Sequence, residues 1–499
     1  MKQASRDQQP TTFFQPAAGF VGDVIPFLYN GAFHLFYLHE DRDDPDSGTP
    51  WGLAVTEDFV TFEDLGDVLP SGGASAPDFN AYTGSVVAGD GVLHLFYTGH
   101  NPKRLGPDGV TPVQVVLHAI SNGDATQWSK LPADTFEAPT GYEPGDWRDP
   151  FVFRVPGEDT WRMLLAARHD EGPARRRGVV AQLRSRDLTS WQMDRPFWNP
   201  GRYITQECPD VFEWNGWWYL VYSEFSESFT ARYRVAPTPD GPWSVPVHDT
   251  VDGRAFYAPK TVARDGRRFF VGWIATREDS ADDGAWQWAG TMSVLEALQE
   301  DDGSLRFRLP SEVLDQFNRP QPLHWRNAAT GVGAAAHQLR GDVPDGLWTA
   351  VTDELMEQSF RVTVEVDIEP DTRECGVLLR STTDGDGAYI IRLEPQRNRM
   401  VFDRWPRRIT GPMQWQISGD VPHVTELERP CALPAGRHKL DIVVDGTVCV
   451  AVLDESVSLS TRIYDRTEGH LGLFVGEGRA TFPQAQLLHR SNTTRKEAQ

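Results

Sequence analysis

The stretch Gly145-Asp-Trp-Arg-Asp-Pro-Phe-Val-Phe153 sets a carboxylate, Asp149, directly before a proline and a short apolar run. Two other stretches answer to it, Phe20-Val-Gly-Asp-Val-Ile-Pro-Phe27 and Thr205-Gln-Glu-Cys-Pro-Asp-Val-Phe212. Each run leads to a glycine turn and then a second strand. Asp23, Asp149 and Glu207 therefore occupy one point of three similar units. Units arranged around a common axis would bring the three acids together on it.

The surrounding sequence repeats on that scale. Turn glycines Gly31, Gly91, Gly157, Gly216 and Gly266 are each followed by an apolar or aromatic strand, among them His34-Leu-Phe-Tyr37, His94-Leu-Phe-Tyr97 and Trp218-Tyr-Leu-Val-Tyr222. Successive glycines are 60, 66, 59 and 50 residues apart. Four are preceded by Asn or Asp, the pairs that accept the positive φ angles of tight hairpins. Behind each hairpin a further strand runs into a turn and an aromatic, as in Leu53-Ala-Val-Thr-Glu-Asp-Phe59 and Val180 to Trp191. Apolar residues alternate over short spans without helical periodicity, so the chain reads as all-β. Four strands per repeat, five times, predicts a five-bladed β-propeller, because one open sheet of about 20 strands would curl or split.

The repeats end near Leu309. Clear strand patterns resume at Phe360–Ile368, Gly376–Arg380, Ala388–Leu393, Lys439–Val444, Val448–Leu453 and His470–Val475, the signature of a β-sandwich. The expected division is a propeller over 1–315, a linker over 316–337, a C-terminal β-sandwich over 338–490 and a tail over 491–499.

Composition narrows the partners. The formal charge is −23, from 71 acidic and 48 basic residues, so phosphate backbones and anionic membranes are repelled and a neutral substrate fits better. Met1–Pro10 lacks the apolar run of a signal peptide, and no stretch approaches the roughly 20 apolar residues of a membrane span. A soluble, cytoplasmic protein is expected, and no oligomeric state is implied. Cys208, Cys375, Cys431 and Cys449 have no pairing or metal-type spacing, so reduced thiols, no metal and no cofactor are expected.

Eight residues before each turn glycine stand Asp23, Thr83, Asp149, Cys208 and Ala258, with Glu207 one step further out. Carboxylates gathered in one cavity raise the pKa of at least one of them. Glycoside hydrolysis needs that arrangement, one protonated acid for the leaving oxygen and one ionised carboxylate at the anomeric carbon. The third acid would stay charged beside the sugar hydroxyls, with neighbouring Arg148 to keep it so. Two other uses fit the same residues, binding a cation and capping blade turns.

Trp147-Arg-Asp-Pro150 and Glu207-Cys-Pro-Asp210 resemble the paired signatures of glycoside hydrolase family 32, the invertases, inulinases and levanases. Trp51–Phe59, Tyr82-Thr-Gly-Ser85, Asp252–Lys260, Gly272-Trp-Ile274, and Val444-Asp-Gly446 with Thr461-Arg-Ile-Tyr464 agree with it in order. The resemblance implies a retaining β-fructofuranosidase acting on sucrose-, inulin- or levan-type carbohydrate. It implies Asp23 as nucleophile, Glu207 as acid/base and Asp149 as transition-state stabiliser. Tyr82, Thr83, Arg148, Tyr257 and Trp273 match positions lining the family's sugar pocket, and Cys208, beside the acid, is a further substrate-binding candidate.

The first motif departs from that pattern. Gly22 replaces an Asn that usually contacts the sugar, and Leu38 stands where a pocket Gln is usual. His39 and Glu40 are candidates to compensate. A polar site that loses two groups changes what it discriminates. Three other readings compete with hydrolysis of a fructoside. They are fructosyl transfer, including intramolecular transfer to a difructose anhydride, an inverting arabinosidase or xylosidase, and an inactive sugar-binding relative.

Overall fold

The computed structural model describes residues 12–327, 338–406 and 427–491. The chain divides into two compact units. One comprises Phe14–Ile274 and Trp288–Leu305; the other gathers described residues of Met1–Phe13, Ala275–Gln287 and Arg306–Gln499.

The first unit is a five-bladed propeller. Its blades begin with inner strands Phe20–Tyr29, Asn80–Gly89, Tyr142–Arg154, Glu207–Trp214 and Phe256–Arg264. Each inner strand touches the next, and the fifth packs back against the first, so the ring closes. Closure is reinforced by hydrogen-bonded pairing of Val21 with Gly290 in strand Trp286–Gln299, which joins the first and fifth blades into one sheet. The expected hairpins are present, with φ of 50° and 84° at Asn30-Gly31, 51° and 80° at Asp90-Gly91, 47° and 86° at Asn215-Gly216, and 53° and 78° at Asp265-Gly266. Positive φ at both central residues matches the right-handed twist of the flanking strands.

The second repeated element also recurs atom for atom. Phe59 N donates to Thr56 Oγ1 and Leu188 N to Ser185 Oγ, each at 2.9 Å. Asp58 and Asp187 each accept from two following backbone N–H groups. Between blades the inward aromatics and aliphatics form continuous layers, as where Phe36, Trp51 and Leu53 of the first blade meet Leu95 and Tyr97 of the second.

The fourth blade corrects the expectation of four strands everywhere. It holds Glu207–Trp214, Trp217–Glu224 and Thr230–Ala236, and the chain beyond reaches it only through single bridges, Val235 to Ser244 and Arg232 to Thr250. Pro237, Pro239, Pro242 and Pro246 withhold the donors that a fourth ladder would need.

The second unit carries the β-sandwich strands. Strand Ser359–Ile368 alternates between buried and partly buried residues except at Thr363, which is buried as well, close to what its sequence requires. Strand His470–Arg490 pairs with Glu374–Ser381 in its first half and with Ser359–Ile368 in its second, so one 21-residue strand serves both layers. Part of the expected linker is strand: Phe317–Gln321 pairs with His470–Arg490, and Trp325–Asn327 pairs with Leu339–Leu355. Pro320 sits within an edge strand there, the one place in a sheet that tolerates it. Residues 328–337, and the tail beyond Ser491, lie outside the described residues. All four cysteines are free and buried. Among the described residues, no helix is long and apolar enough to cross a membrane.

Candidate active site

Every inner strand of the propeller breaks its ladder at the same level. The register shifts fall between Val21 and Val24, Tyr82 and Gly84, Arg148 and Phe151, Glu207 and Asp210, and Tyr257 and Lys260. These are β-bulges, which re-aim side chains and end pairing. Asp149, Cys208 and Ala258 take φ of 60°, 50° and 49° there, each just before a proline. Side chains at this level consequently leave the sheet plane and turn towards the axis.

Asp23, Asp149 and Glu207 form one hydrogen-bonded cluster. Asp23 Oδ2 accepts from Thr83 Oγ1 at 2.5 Å and from Cys208 Sγ at 3.5 Å, while its Oδ1 accepts from Trp273 Nε1 at 2.9 Å. Asp149 Oδ2 accepts from Cys208 N at 2.9 Å. Asp149 N donates to Thr98 Oγ1, whose hydroxyl donates to Thr83 O, tying the second blade to the third. Glu207 is gripped on both oxygens, by Arg148 Nη2 on Oε1 at 3.1 Å and by Tyr257 Oη on Oε2 at 2.7 Å. It stays reachable, with 21% of its side chain exposed against 5% for Asp149.

Burial is the first cause of the electrostatics, and it raises the pKa of all three acids. At Asp23 the hydrogen bonds from Thr83 and Trp273 oppose it, and the charge of Glu207 adds to it. At Asp149, Arg148 opposes and Asp23 adds. At Glu207, Arg148 opposes, Asp149 adds and the Tyr257 hydroxyl lowers. Burial likewise holds Cys208 as a thiol, a donor rather than a thiolate. Arg148 lies closer to Glu207 than to Asp149, whose Oδ2 is 3.8 Å from Nε. It is steadied by Asp146 and Gln114.

Tyr82, Thr83, Arg148, Cys208, Tyr257 and Trp273 all join this cluster or its wall. Tyr82 stacks on His100 with centroids 5.1 Å apart, and Asn80 bonds both. His39 does not join it. Its Nδ1 faces Asp67 at 2.7 Å and its Nε2 faces the Ala18 carbonyl at 2.9 Å, so both ring nitrogens are engaged at the edge of the first blade. The expected compensation by His39 for the missing polar groups is therefore not made.

What occupies that space is Trp288, which the sequence reading missed. A Cβ on Gly22 would come within 2.5 Å of Trp288 Cη2 and 3.0 Å of Leu38 Cβ. The indole lies on the glycine backbone, its ring 6.0 Å from that of Trp273. Leu38 is buried beside it. The wall next to Asp23 is thus apolar, built from Gly22, Leu38 and Trp288. Pairing of Val21 with Gly290 brings Trp288 there, a contact across more than 260 residues that leaves no local signal. Gln114 and Phe229 reach Arg148 and Tyr257 from neighbouring strands and turns and also leave no local signal, whereas Asp146, two residues before Arg148, stands within the Gly145–Phe153 stretch itself.

The family model described as "Glycosyl hydrolases family 32 N-terminal domain" matches residues 13–308. A sucrose-6-phosphate hydrolase of Escherichia coli is 29% identical over 315 residues, covering 59% of this chain and 63% of the relative, so under two thirds of that relative's length is spanned. Another from Zymomonas mobilis is 24% identical over 511 residues, covering 96% and 91%. The solved sucrose-6-phosphate hydrolase from Lactobacillus gasseri superposes with a TM-score of 0.74 at 18% identity, covering 98% of this chain and 94% of that one.

Proposed function

Because the chain belongs to glycoside hydrolase family 32 and is a glycosidase, we propose that it releases terminal β-D-fructofuranosyl residues from sucrose-, inulin- or levan-type saccharides by double displacement. The observation that carries this reading is the unequal environment of two carboxylates in one cavity. Asp23 is fixed by three donors, from Thr83, Trp273 and Cys208. Glu207 lies between Arg148 and Tyr257.

Asp23 attacks the anomeric carbon and forms a fructosyl ester as the glycosidic bond breaks. Glu207 gives its proton to the departing oxygen, then takes one from the water that hydrolyses the ester. Of the two oxygens, Oε2 suits the proton better. Glu207 Oε1 faces a guanidinium, which only donates, whereas Oε2 faces a hydroxyl that can also accept. Protonated Glu207 therefore carries its hydrogen on Oε2, and the leaving oxygen approaches from the Tyr257 side. Asp149, held by Cys208 N, receives the sugar hydroxyls and favours the positively charged transition state. The apolar wall of Gly22, Leu38 and Trp288 restricts which ring hydroxyls fit beside Asp23.

Release of reducing sugar from sucrose, inulin and levan, with NMR of the first-formed anomer, tests the proposal. Retention of configuration is expected. An inverted first product would remove Asp23 from the nucleophile's role.

A further inference from the structure

The bulge residues Asp149, Cys208 and Ala258 are each followed by a proline and then by Phe151, Asp210 and Lys260. These last three occupy one position of neighbouring inner strands, just beyond the level of the acids, and they meet. Lys260 Nζ donates to the Pro209 carbonyl at 3.0 Å and lies 5.0 Å from the centre of the Phe151 ring. The next backbone N–H, of Thr261, donates to Asp210 Oδ2 at 2.5 Å. Strand Phe256–Arg264 thus holds the bulge of strand Glu207–Trp214 from both sides of Pro209, and one ammonium touches three blades.

Lys260 is only 2% exposed. Among the described residues no carboxylate lies within ion-pair distance of Nζ, and the Pro209 carbonyl is its one hydrogen-bond acceptor. A buried charge without a paired partner is disfavoured, and an apolar chain of the same length would fill the space at lower cost. What the position supplies is therefore the charge, and no single ion pair consumes it. Three groups feel it. At Asp149 burial raises the pKa, and Lys260 joins Arg148 and the Cys208 N–H in opposing it while Asp23 adds to it. At Asp210 burial again raises it, opposed by Lys260, Thr261 and Arg268. At Cys208 burial and the charges of Asp23, Asp149 and Glu207 raise it, and Lys260 opposes.

We infer that Lys260 is a positioning residue for the reaction. Its ammonium fixes the carbonyl of the bulge that carries Glu207 and sets a positive charge beneath Asp149. Arg148 alone leaves that need unmet, since its guanidinium bonds Glu207 at 3.1 Å and stands 3.8 Å from Asp149. The inference rests on the fructosidase reading, in which Asp149 works as an anion.

The test is the pH profile of kcat/KM on sucrose. Lys260→Gln keeps an N–H for the Pro209 carbonyl and removes the charge, whereas Lys260→Arg keeps the charge. In Lys260→Gln the acidic limb should move to higher pH by about one unit, the low end of the effect of one opposite charge nearby. It should also steepen, as Asp149 titrates alongside Asp23. Lys260→Arg should return the limb to its parent position even where its rate is lower. If Lys260→Gln does not fold, the limb is read in Lys260→Met, whose apolar chain fills the same space, and the same displacement is expected. A limb that stays in place in the uncharged variant, whether the rate falls equally at every pH or not at all, would overturn the inference. So would a limb displaced as far in Lys260→Arg. If the parent enzyme cleaved no fructoside, the fructosidase reading itself would fail, a result distinct from an unmoved limb.

Discussion

The two ends of the inner strands reach similar backbone conformations with different residues. At the hairpin end, positive φ falls on Asn30-Gly31, Asp90-Gly91, Asn215-Gly216 and Asp265-Gly266, residue types that adopt it at little cost. At the axial end it falls on Asp149 and also on Cys208 and Ala258, and for the last two it costs roughly 1–2 kcal/mol each. The first end is built for stability and the second for aim. The bulges turn carboxylates out of the sheet into a cavity where burial raises their pKa values, and the fold bears the cost of both.

That contrast breaks most visibly at Asp23. Asp23→Asn should abolish turnover of every fructoside, since no ester can form, and it should also stabilise the protein. The folded pKa of Asp23 is raised, so its ionisation penalises the fold as pH rises through that value. Removing the charge should raise the melting temperature at neutral pH. The gain should vanish below the ordinary carboxylate pKa of about 3.9, where both states are protonated. A variant that is inactive and less stable at neutral pH would contradict the trade.

Glu207→Gln keeps the shape and loses the proton. Sucrose cleavage should drop by the order of 10²–10⁴ expected for acid catalysis, while fructosylation by an activated aryl fructoside, read as a burst of phenol, should suffer far less. Equal loss on both substrates would unseat Glu207 as the acid.

Tyr257→Phe is a finer probe of the same end. The hydroxyl donates to ionised Glu207 and lowers its pKa. Its removal should move the basic limb of the kcat/KM profile to higher pH, leaving the acidic limb, set by Asp23, in place. A shift to lower pH would reverse the assignment of that hydrogen bond.

The smallest effects compare the two ends directly. Gly216→Ala, at φ 86°, should destabilise the protein by about 1 kcal/mol. Ala258→Gly, at φ 49°, relieves roughly 1–2 kcal/mol of backbone cost against about 0.4–1 kcal/mol of added unfolded-state freedom. Loss of the buried Ala258 methyl costs a further ~0.8 kcal/mol, so the net change should be close to zero. Urea midpoints of the propeller's transition would read the contrast with Gly216→Ala.

Much of this was legible in the sequence because propeller physics repeats. Turn glycines at regular spacing located the blades, and stepping back eight residues from each fell on the bulge positions Asp23, Thr83, Asp149, Cys208 and Ala258. Both rest on local chemistry, the φ demands of a hairpin and the length of one strand. The missing fourth strand of blade four was foreshadowed by four prolines between Pro237 and Pro246, which the count of repeats outweighed. The apolar wall was beyond reach. Gly22 and Leu38 marked a gap in the polar pocket, but the residue filling it, Trp288, arrives through closure of the ring. His39 was misjudged because its partners, Asp67 and the Ala18 carbonyl, cannot be paired with it by spacing alone.

In the proposed double displacement Asp23 forms a covalent bond to the sugar while Glu207 handles the proton. Glu207→Gln mixed with an activated aryl β-D-fructofuranoside should accumulate the ester, since fructosylation of Asp23 by such a substrate does not need the acid and hydrolysis of the ester still needs the base. Mass spectrometry of peptides from the quenched enzyme should find one fructosyl unit on the peptide that contains Asp23. An adduct on the Asp149 peptide instead, or a burst of phenol with no adduct, would contradict the account.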